Sequence, residues 1–343
     1  MIGNKPTLRD VAKKAGVSLG TASNVLNNKA KTSAEAKARV LEAAESLGYK
    51  PLTVLTETSA PNFFVGAIGK IDDGQSMNTN PFYSYALSGI ERECQRHHMS
   101  LMFANIEVDR MNRPINLPPL LFDNQVNGIL MVGTFLQDTI RLIGNKINKP
   151  LVLLDAYAPE SQFDSVLTDN VSGAYHAVEF LIQRGHNKIG LVGSQSHGYP
   201  SIRERRKGYL RALKHYRIDT SYIEESPLTR DGGFEGARKL LTRAPEISAI
   251  FACNDEVASG IYQAARDLGR RIPGDLSVIG FDDIDLAQQL NPPLTTMRVD
   301  KTLMGMLAVR MLKERADHPN NPAMTMLLGT QMISRTSVRT LRL

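Results

Sequence analysis

A small all-α headpiece joined to an α/β core of two doubly wound parallel-sheet lobes is the architecture that this sequence predicts. Three observations predict it: capped amphipathic helices crowd the first 50 residues, a polar bridge between two prolines follows, and a long alternation of short apolar runs with amphipathic stretches fills the rest. The chain has 343 residues, 42% hydrophobic and 22% charged. That is enough for two or three packed units and too apolar for a disordered chain.

The headpiece, residues 1–50, reads as three helices. Thr7, with Asp10 three positions on, makes a capping box for a helix whose apolar positions are Leu8, Val11, Ala12 and Ala15, and Gly16 stops it. Ser18 caps a second helix, Leu19 to Asn27, which buries Ala22, Val25 and Leu26. Thr32 with Glu35 reads as another capping box, opening a third helix with the stripe Val40, Leu41, Ala44 and Leu47 and ending at Gly48. Residues 51–61, rich in Thr and Ser and bounded by Pro51 and Pro61, form a hinge.

In the core, 62–343, strand candidates are Phe63–Ile68, Leu101–Ala104, Gly128–Val132, Leu151–Leu154, Lys188–Val192, Ala249–Ala252 and Leu276–Phe281, with helices between them. The expected first lobe is about 62–162 with 295–325, and the second about 163–294 with 326–343. No stretch approaches the roughly 18 to 20 apolar residues that a membrane span needs, and no apolar run lies behind the basic N-terminus. The expectation is a cytoplasmic protein with no membrane partner. Cys94 and Cys253, far apart and without metal-ligand spacing, read as reduced core thiols.

Charge is unevenly distributed. Residues 1–50 carry nine basic side chains (Lys5, Arg9, Lys13, Lys14, Lys29, Lys31, Lys37, Arg39, Lys50) against four acidic ones (Asp10, Glu35, Glu42, Glu45), which is most of the net charge of +6. A polyanion is therefore drawn to the N-terminal segment, through phosphate neutralisation and counterion release. The junction Ala15-Gly16-Val17-Ser18 makes the tight turn of a helix-turn-helix, about residues 8–27. In such a unit the second helix enters the major groove, presenting Leu19, Gly20 and Asn24 to base edges, while Thr21, Ser23 and Asn27 are placed for phosphate contacts. The competing reading, a helical domain that packs on another surface, is disfavoured by the turn chemistry and the basic surplus.

The stretches Thr7-Leu8-Arg9-Asp10-Val11-Ala12-Lys13-Lys14-Ala15-Gly16-Val17-Ser18, Thr21-Ala22-Ser23-Asn24-Val25-Leu26-Asn27, Arg39-Val40-Leu41-Glu42-Ala43-Ala44 and Leu47-Gly48-Tyr49 resemble the headpiece of the lactose-repressor (LacI/GalR) family. Asn80-Pro81-Phe82-Tyr83, Arg184-Gly185-His186, Arg205 with Gly208-Tyr209, Asn254-Asp255, Gly280-Phe281-Asp282-Asp283 and Pro292-Pro293-Leu294-Thr295-Thr296 extend the resemblance through the core. It implies a periplasmic-binding-protein-like type I core and a transcriptional repressor. The implied partners are a palindromic double-stranded operator, a second copy of the chain and a small polar effector, a sugar; no cofactor is implied. The implied DNA contacts are Thr7, Leu8, Ser18, Leu19, Gly20, Thr21, Ser23, Asn24, Asn27 and Lys31 in the headpiece and Val54, Leu55 and Thr58 in the hinge. Two departures stand out: the family commonly has Arg where this chain has Asn24, an amide suited to bidentate pairing with adenine, and its hinge wedge falls at Leu55, Thr56 and Thr58, where threonine is a poorer wedge than an apolar side chain. The C-terminal stretch 332–343 has no leucine heptads, so a dimer is expected rather than a tetramer.

Ligands of open α/β sheets gather beyond the carboxyl ends of strands. Asp155, Asn254, Asp255, Asp282 and Asp283 each follow an apolar run there. Carboxylates and amides fix hydroxyls directionally, Arg205 adds a donor fork, and Phe82 or Tyr83 can stack on a sugar face. The family resemblance implies Arg205, Asn254 and Asp282 as effector contacts, and the expected effector set adds Phe82, Tyr83, Asp155 and Ser201. Each has a structural alternative: Asp255 and Asp283 can cap the helices that follow, and Asp155 can satisfy loop amides. Two rival functions fit the sequence less well. An enzyme would use the carboxylates, but G-x-G-x-x-G after a strand, G-x-x-x-x-G-K-[ST], G-x-S-x-G and H-E-x-x-H are all missing from the sequence; a sugar-binding protein without DNA function has no use for a helix-turn-helix.

Overall fold

The structure, a computed structural model, describes residues 6–26, 32–49, 63–71, 79–109, 112–158 and 162–341. Asn27, Lys31, Val54, Leu55 and Thr58, with the whole expected hinge, lie outside the described residues. The chain divides into two compact units, Met1–Pro61 and Asn62–Leu343.

The first unit holds α1 (Leu8–Ala15), α2 (Leu19–Leu26) and α3 (Ala34–Leu47) around a core of Val11, Ala12, Ala15, Ala22, Val25, Val40, Ala43 and Ala44. The Thr7 backbone N–H and hydroxyl both donate to the Asp10 carboxylate, at 2.8 and 2.7 Å. Gly16 sits at φ 63°, so the chain turns sharply and the Val17 N–H donates back to the Ala12 carbonyl at 3.1 Å. Ser18 Oγ then accepts from the Thr21 N–H at 3.0 Å, starting α2. Two expectations for α3 need correction. Its cap is Ser33, which accepts from the Ala36 N–H at 3.3 Å, and not Thr32. The helix starts one residue later than the pattern suggested, which moves Glu35 off the position a capping box requires. Leu41 is 48% exposed; it follows Val40 by about 100° around the helix, which carries it off the buried stripe.

In the second unit, β1 (Phe64–Ile71), α4 (Tyr83–Arg96), β2 (Ser100–Glu107), β3 (Gly128–Val132), α5 (Gln137–Gly144), β4 (Leu151–Leu154) and β5 (Asp164–Thr168) come first. Then follow α6 (Asn170–Ile182), β6 (Ile189–Val192), α7 (Pro200–His215), β7 (Tyr222–Glu224), α8 (Arg230–Arg243), β8 (Ala249–Ala252), α9 (Asp255–Asp267), β9 (Ser277–Asp282), α10 (Asp285–Gln289) and β10 (Thr295–Arg298). The chain ends with α11 (Lys301–Asp317), β11 (Thr325–Leu328) and β12 (Gln331–Ile333). Two six-stranded sheets result, ordered β11-β5-β4-β3-β1-β2 and β12-β10-β9-β8-β6-β7. Every pairing is parallel except β12 on β10. Each buried strand is covered by helices, which is why its sequence reads as a continuous apolar run.

All seven strands expected from the sequence are present. Those not foreseen are short or polar: β5 opens on Asp164, buried because Arg315 holds it through bonds of 2.6 and 2.8 Å, and β10 starts with two threonines. The turning points between lobes also differ from the expected 162, 295 and 325. β5 and β11 belong to the first sheet and β10 to the second, so the chain crosses near 169, 299 and 329. Apolar runs of the two sheets read alike, and the pattern cannot say which sheet a strand joins. Among the described residues, no helix is long and apolar enough to cross a membrane.

A side chain at Gly16 would meet no atom within 4 Å, so substitution there costs backbone energy alone. Gly16→Val should destabilise the first unit by about 1 to 2 kcal/mol, the cost of a left-handed non-glycine residue. Circular dichroism on heating should show an earlier loss of helix while the core transition stays in place.

Candidate functional site

Two surfaces carry the residues singled out by the sequence. In the first unit Ala22 and Val25 face the core, which leaves Leu19 (45% exposed), Gly20 and Asn24 on the outer face of α2. Thr7 and Ser18 are exposed, and Thr21 and Ser23 are half-buried. Leu8 packs against the headpiece core, and the Ser18 hydroxyl is engaged with Thr21, so both serve local structure. A Cβ at Gly20 would meet only Ser18 Oγ, at 3.8 Å, so this part of α2 presents bare backbone.

In the second unit, Phe82, Tyr83, Asp155, Ser201, Arg205, Asn254 and Asp282 all line one cavity of about 420 Å³. Their positions follow from the fold. Asp155 follows β4, Asn254 follows β8 and Asp282 ends β9, so three strand ends point into one space. Phe82 and Tyr83 start α4, and Ser201 and Arg205 lie one turn apart on α7. Asp155 and Asp282 have φ angles of 59° and 103°, unusual for residues other than glycine. Such strain concentrates at ligand sites.

Arg205 organises the polar floor. Its guanidinium donates to Asp282 Oδ1 at 2.9 Å, to Asn170 Oδ1 at 2.9 Å and to the Cys253 carbonyl at 2.5 Å, and it stacks 3.9 Å from the centre of the Phe281 ring. On the other wall the Tyr83 hydroxyl donates to Asp155 Oδ2 at 2.8 Å. Burial pushes the Asp155 carboxyl up to about 6, and the Tyr83 hydrogen bond only partly offsets that. The Tyr83 hydroxyl is itself raised, by burial first and then by the Asp155 charge.

Asn254, not Asp255, caps α9: its Oδ1 accepts from the Val257 N–H at 2.8 Å, while its Nδ2 donates to the Leu228 carbonyl at 3.3 Å. Asp255 accepts from Thr296 Oγ1 at 2.6 Å and from the Ile284 N–H at 2.9 Å, tying the end of β8 to β10 and to the loop after β9. Burial, then the Asp282 charge, pushes its carboxyl up to about 8. Gly280 makes room for it, since a Cβ there would lie 2.3 Å from Asp255 Oδ1. Asp283 caps no helix; it pairs with Arg298 and Arg335, each at 2.7 Å. Sequence reasoning missed Lys70, Thr134, Tyr199 and Glu256 in the cavity wall. Tyr199 carried a signal, the Pro200 that starts α7, and Lys70 another, a charge inside an apolar strand. Among the described residues, no group of three metal-ligating side chains comes together.

A helix-turn-helix with a recognition face, joined to a two-sheet core around a polar cleft, is the make-up of a DNA-binding transcriptional regulator. The chain belongs to the lacI family of bacterial regulatory proteins: the model of that family matches residues 7–51, and a periplasmic binding protein-like domain matches residues 178–338. Over 98% of its length it is 34% identical to the ribose operon repressor of Haemophilus influenzae, covering 99% of that protein. It is 30% identical to the transcriptional repressor PurR of Photobacterium profundum, over 98% of this chain and 99% of the relative. The core superposes on a LacI family regulator from Enterococcus faecium with bound ribose at a TM-score of 0.68, with 27% identity, over 81% of this chain and all of the other. These matches place the chain among transcriptional repressors.

Removing Arg205 strands the buried Asp282 carboxylate without its partner. Arg205→Ala should cost about 3 to 5 kcal/mol of core stability, read by urea unfolding. Asp282→Asn in the same chain should restore part of the loss.

Proposed function

We propose that this repressor binds a palindromic operator as a homodimer in the cytoplasm, and that a neutral sugar held in the cleft sets its operator affinity. The observation that carries the proposal is the cavity that gathers Asp155, Arg205 and Asp282 from three separate elements. Its chemistry favours a ligand rich in hydroxyl donors. Asp155, Glu256 and Asp282 line it against two cations, Lys70 and Arg205, and Arg205 is already committed to Asp282; the fourth carboxyl, Asp255, is pushed up to about 8 and so carries little charge at pH 7. Such a wall repels carboxylate and phosphate ligands and accepts hydrogen bonds from hydroxyls. Phe82 and Tyr83, edge to face with ring centres 5.1 Å apart, supply an apolar surface for a sugar ring. A regulator with bound ribose shares the core fold, and a ribose operon repressor is similar over the full length, which makes a pentose the first ligand to try.

On the DNA side, Leu19 and Asn24 read bases, Thr7, Thr21 and Ser23 hold phosphates, and the bare face at Gly20 reduces the number of base edges each headpiece can specify. Binding in the cleft acts on DNA affinity only by the difference in ligand affinity between two arrangements of the lobes.

The test is calorimetric titration of the full chain with D-ribose at pH 7 and pH 5. A hydroxyl that donates to Asp155 needs the carboxylate, which protonates as pH falls through about 6. Affinity should therefore drop by up to about tenfold at pH 5, and Asp155→Asn should remove most of that dependence. Heat of binding from no monosaccharide at either pH would overturn the proposal.

A further inference from the structure

We infer that Tyr199, gripped by Lys70 and Asn112 across the mouth of the cleft, is a latch that holds the two lobes closed. The inference rests on the reading of the cleft as the ligand site, but its geometry stands independently. Lys70 Nζ donates to the Tyr199 hydroxyl oxygen at 2.6 Å, and Asn112 Nδ2 donates to the same oxygen at 3.0 Å. The Lys70 ammonium also lies 4.6 Å from the centre of the Tyr199 ring. Lys70 and Asn112 belong to the first lobe, and Tyr199 immediately precedes α7 of the second.

Strand order gives this contact its leverage. The three crossings between lobes leave from β5, β10 and β11, and in each sheet these strands and β12 occupy one edge. β1, which ends on the Lys70 side, is fifth in its sheet counted from that edge, and β6, which leads toward Tyr199, is fifth in the other. At roughly 4.8 Å per strand, the latch lies about 19 Å from the outermost crossing strand. Opening about the crossings moves this rim furthest, so the bond breaks on opening. Contacts nearer the crossings, such as Tyr157 to Glu204 at 2.5 Å with Asn170 beside it, lie where the same rotation displaces them less.

The first-lobe half of the latch is built in advance. Asn112 has a φ of 58°, its Oδ1 accepts from the Leu136 N–H at 3.1 Å, and its carbonyl accepts from the Thr139 hydroxyl at 2.7 Å. Its amide is thereby aimed outward at Tyr199. On the second lobe, Tyr199 leads into the helix that carries Ser201 and Arg205. Latch and ligand therefore act on the same helix, and Tyr199 is a positioning residue for the cleft.

The test measures lobe separation directly in the full chain without ligand. Spin labels at Gln125→Cys and Lys239→Cys, both exposed, report the distance between lobes; the native Cys94 and Cys253 are buried, and labelled chain is diluted into unlabelled chain to isolate distances within one copy. Tyr199→Phe keeps the ring and removes the oxygen that both donors need. It should shift the distance distribution to longer values, Lys70→Met should shift it less, and the double variant should match Tyr199→Phe alone. Unchanged melting of all three, read by circular dichroism, separates opening from unfolding. A distance distribution of Tyr199→Phe identical to that of the parent chain would overturn the latch. D-ribose added afterwards should restore the shorter distances; if Tyr199→Phe opens the lobes but no monosaccharide binds either protein, the latch stands and the sugar reading fails.

Discussion

A buried guanidinium is the interaction on which the cleft depends. Arg205 is 6% exposed, and so removed from water a cation is tolerated only when its donors are matched. Asp282, Asn170 and the Cys253 carbonyl match them, and the Phe281 ring covers one face. In doing so the guanidinium joins the end of β9, the start of α6 and the end of β8 to the first turns of α7. The positive φ at Asp282 is held by this network, and Lys301 reinforces it by donating to the Asp282 and Asp283 carbonyls at 2.6 and 3.0 Å. Lys301 directly follows the lobe crossing near 299, so the polar floor is mechanically continuous with that crossing.

Side chains that hold the fold also line the cavity. Asn254 caps a helix and faces the cavity; Asp155 holds Tyr83 and faces the cavity. Groups already fixed by protein hydrogen bonds are presented to a ligand without further ordering cost. In the proposed function the acidic balance of the wall disfavours anions, because an anion entering it would add a like charge to the partly desolvated Asp155 and Asp282 carboxylates.

Much of this was legible in the sequence, for physical reasons that differ between parts. The strands of the parallel sheets are buried on both faces, so runs such as Leu151–Leu154 and Ala249–Ala252 were readable to the residue. Polar residues that end such runs were readable as cavity residues, because parallel strands finish on one side of a sheet. Turn chemistry at Gly16 and Ser18 was readable because left-handed backbone and caps each demand particular residue types. What escaped was long-range. Asp164 opens a strand only because Arg315, 151 positions on, neutralises it, and nothing local to β10 reveals which sheet it joins. Tyr199 enters the cleft through partners 129 and 87 positions away. The expected cap at Thr32 failed by a single residue, a shift that periodicity does not resolve.

In the proposed function the cleft governs the headpieces. The most direct measurement takes the duplex that this protein selects from a random DNA pool and follows its fluorescence anisotropy while D-ribose is titrated into the complex at fixed salt. A palindromic duplex is expected, with a change in its affinity of about 5- to 150-fold on adding sugar, the range of ordinary allosteric coupling. Sugar that binds the protein but leaves operator affinity unchanged would contradict it.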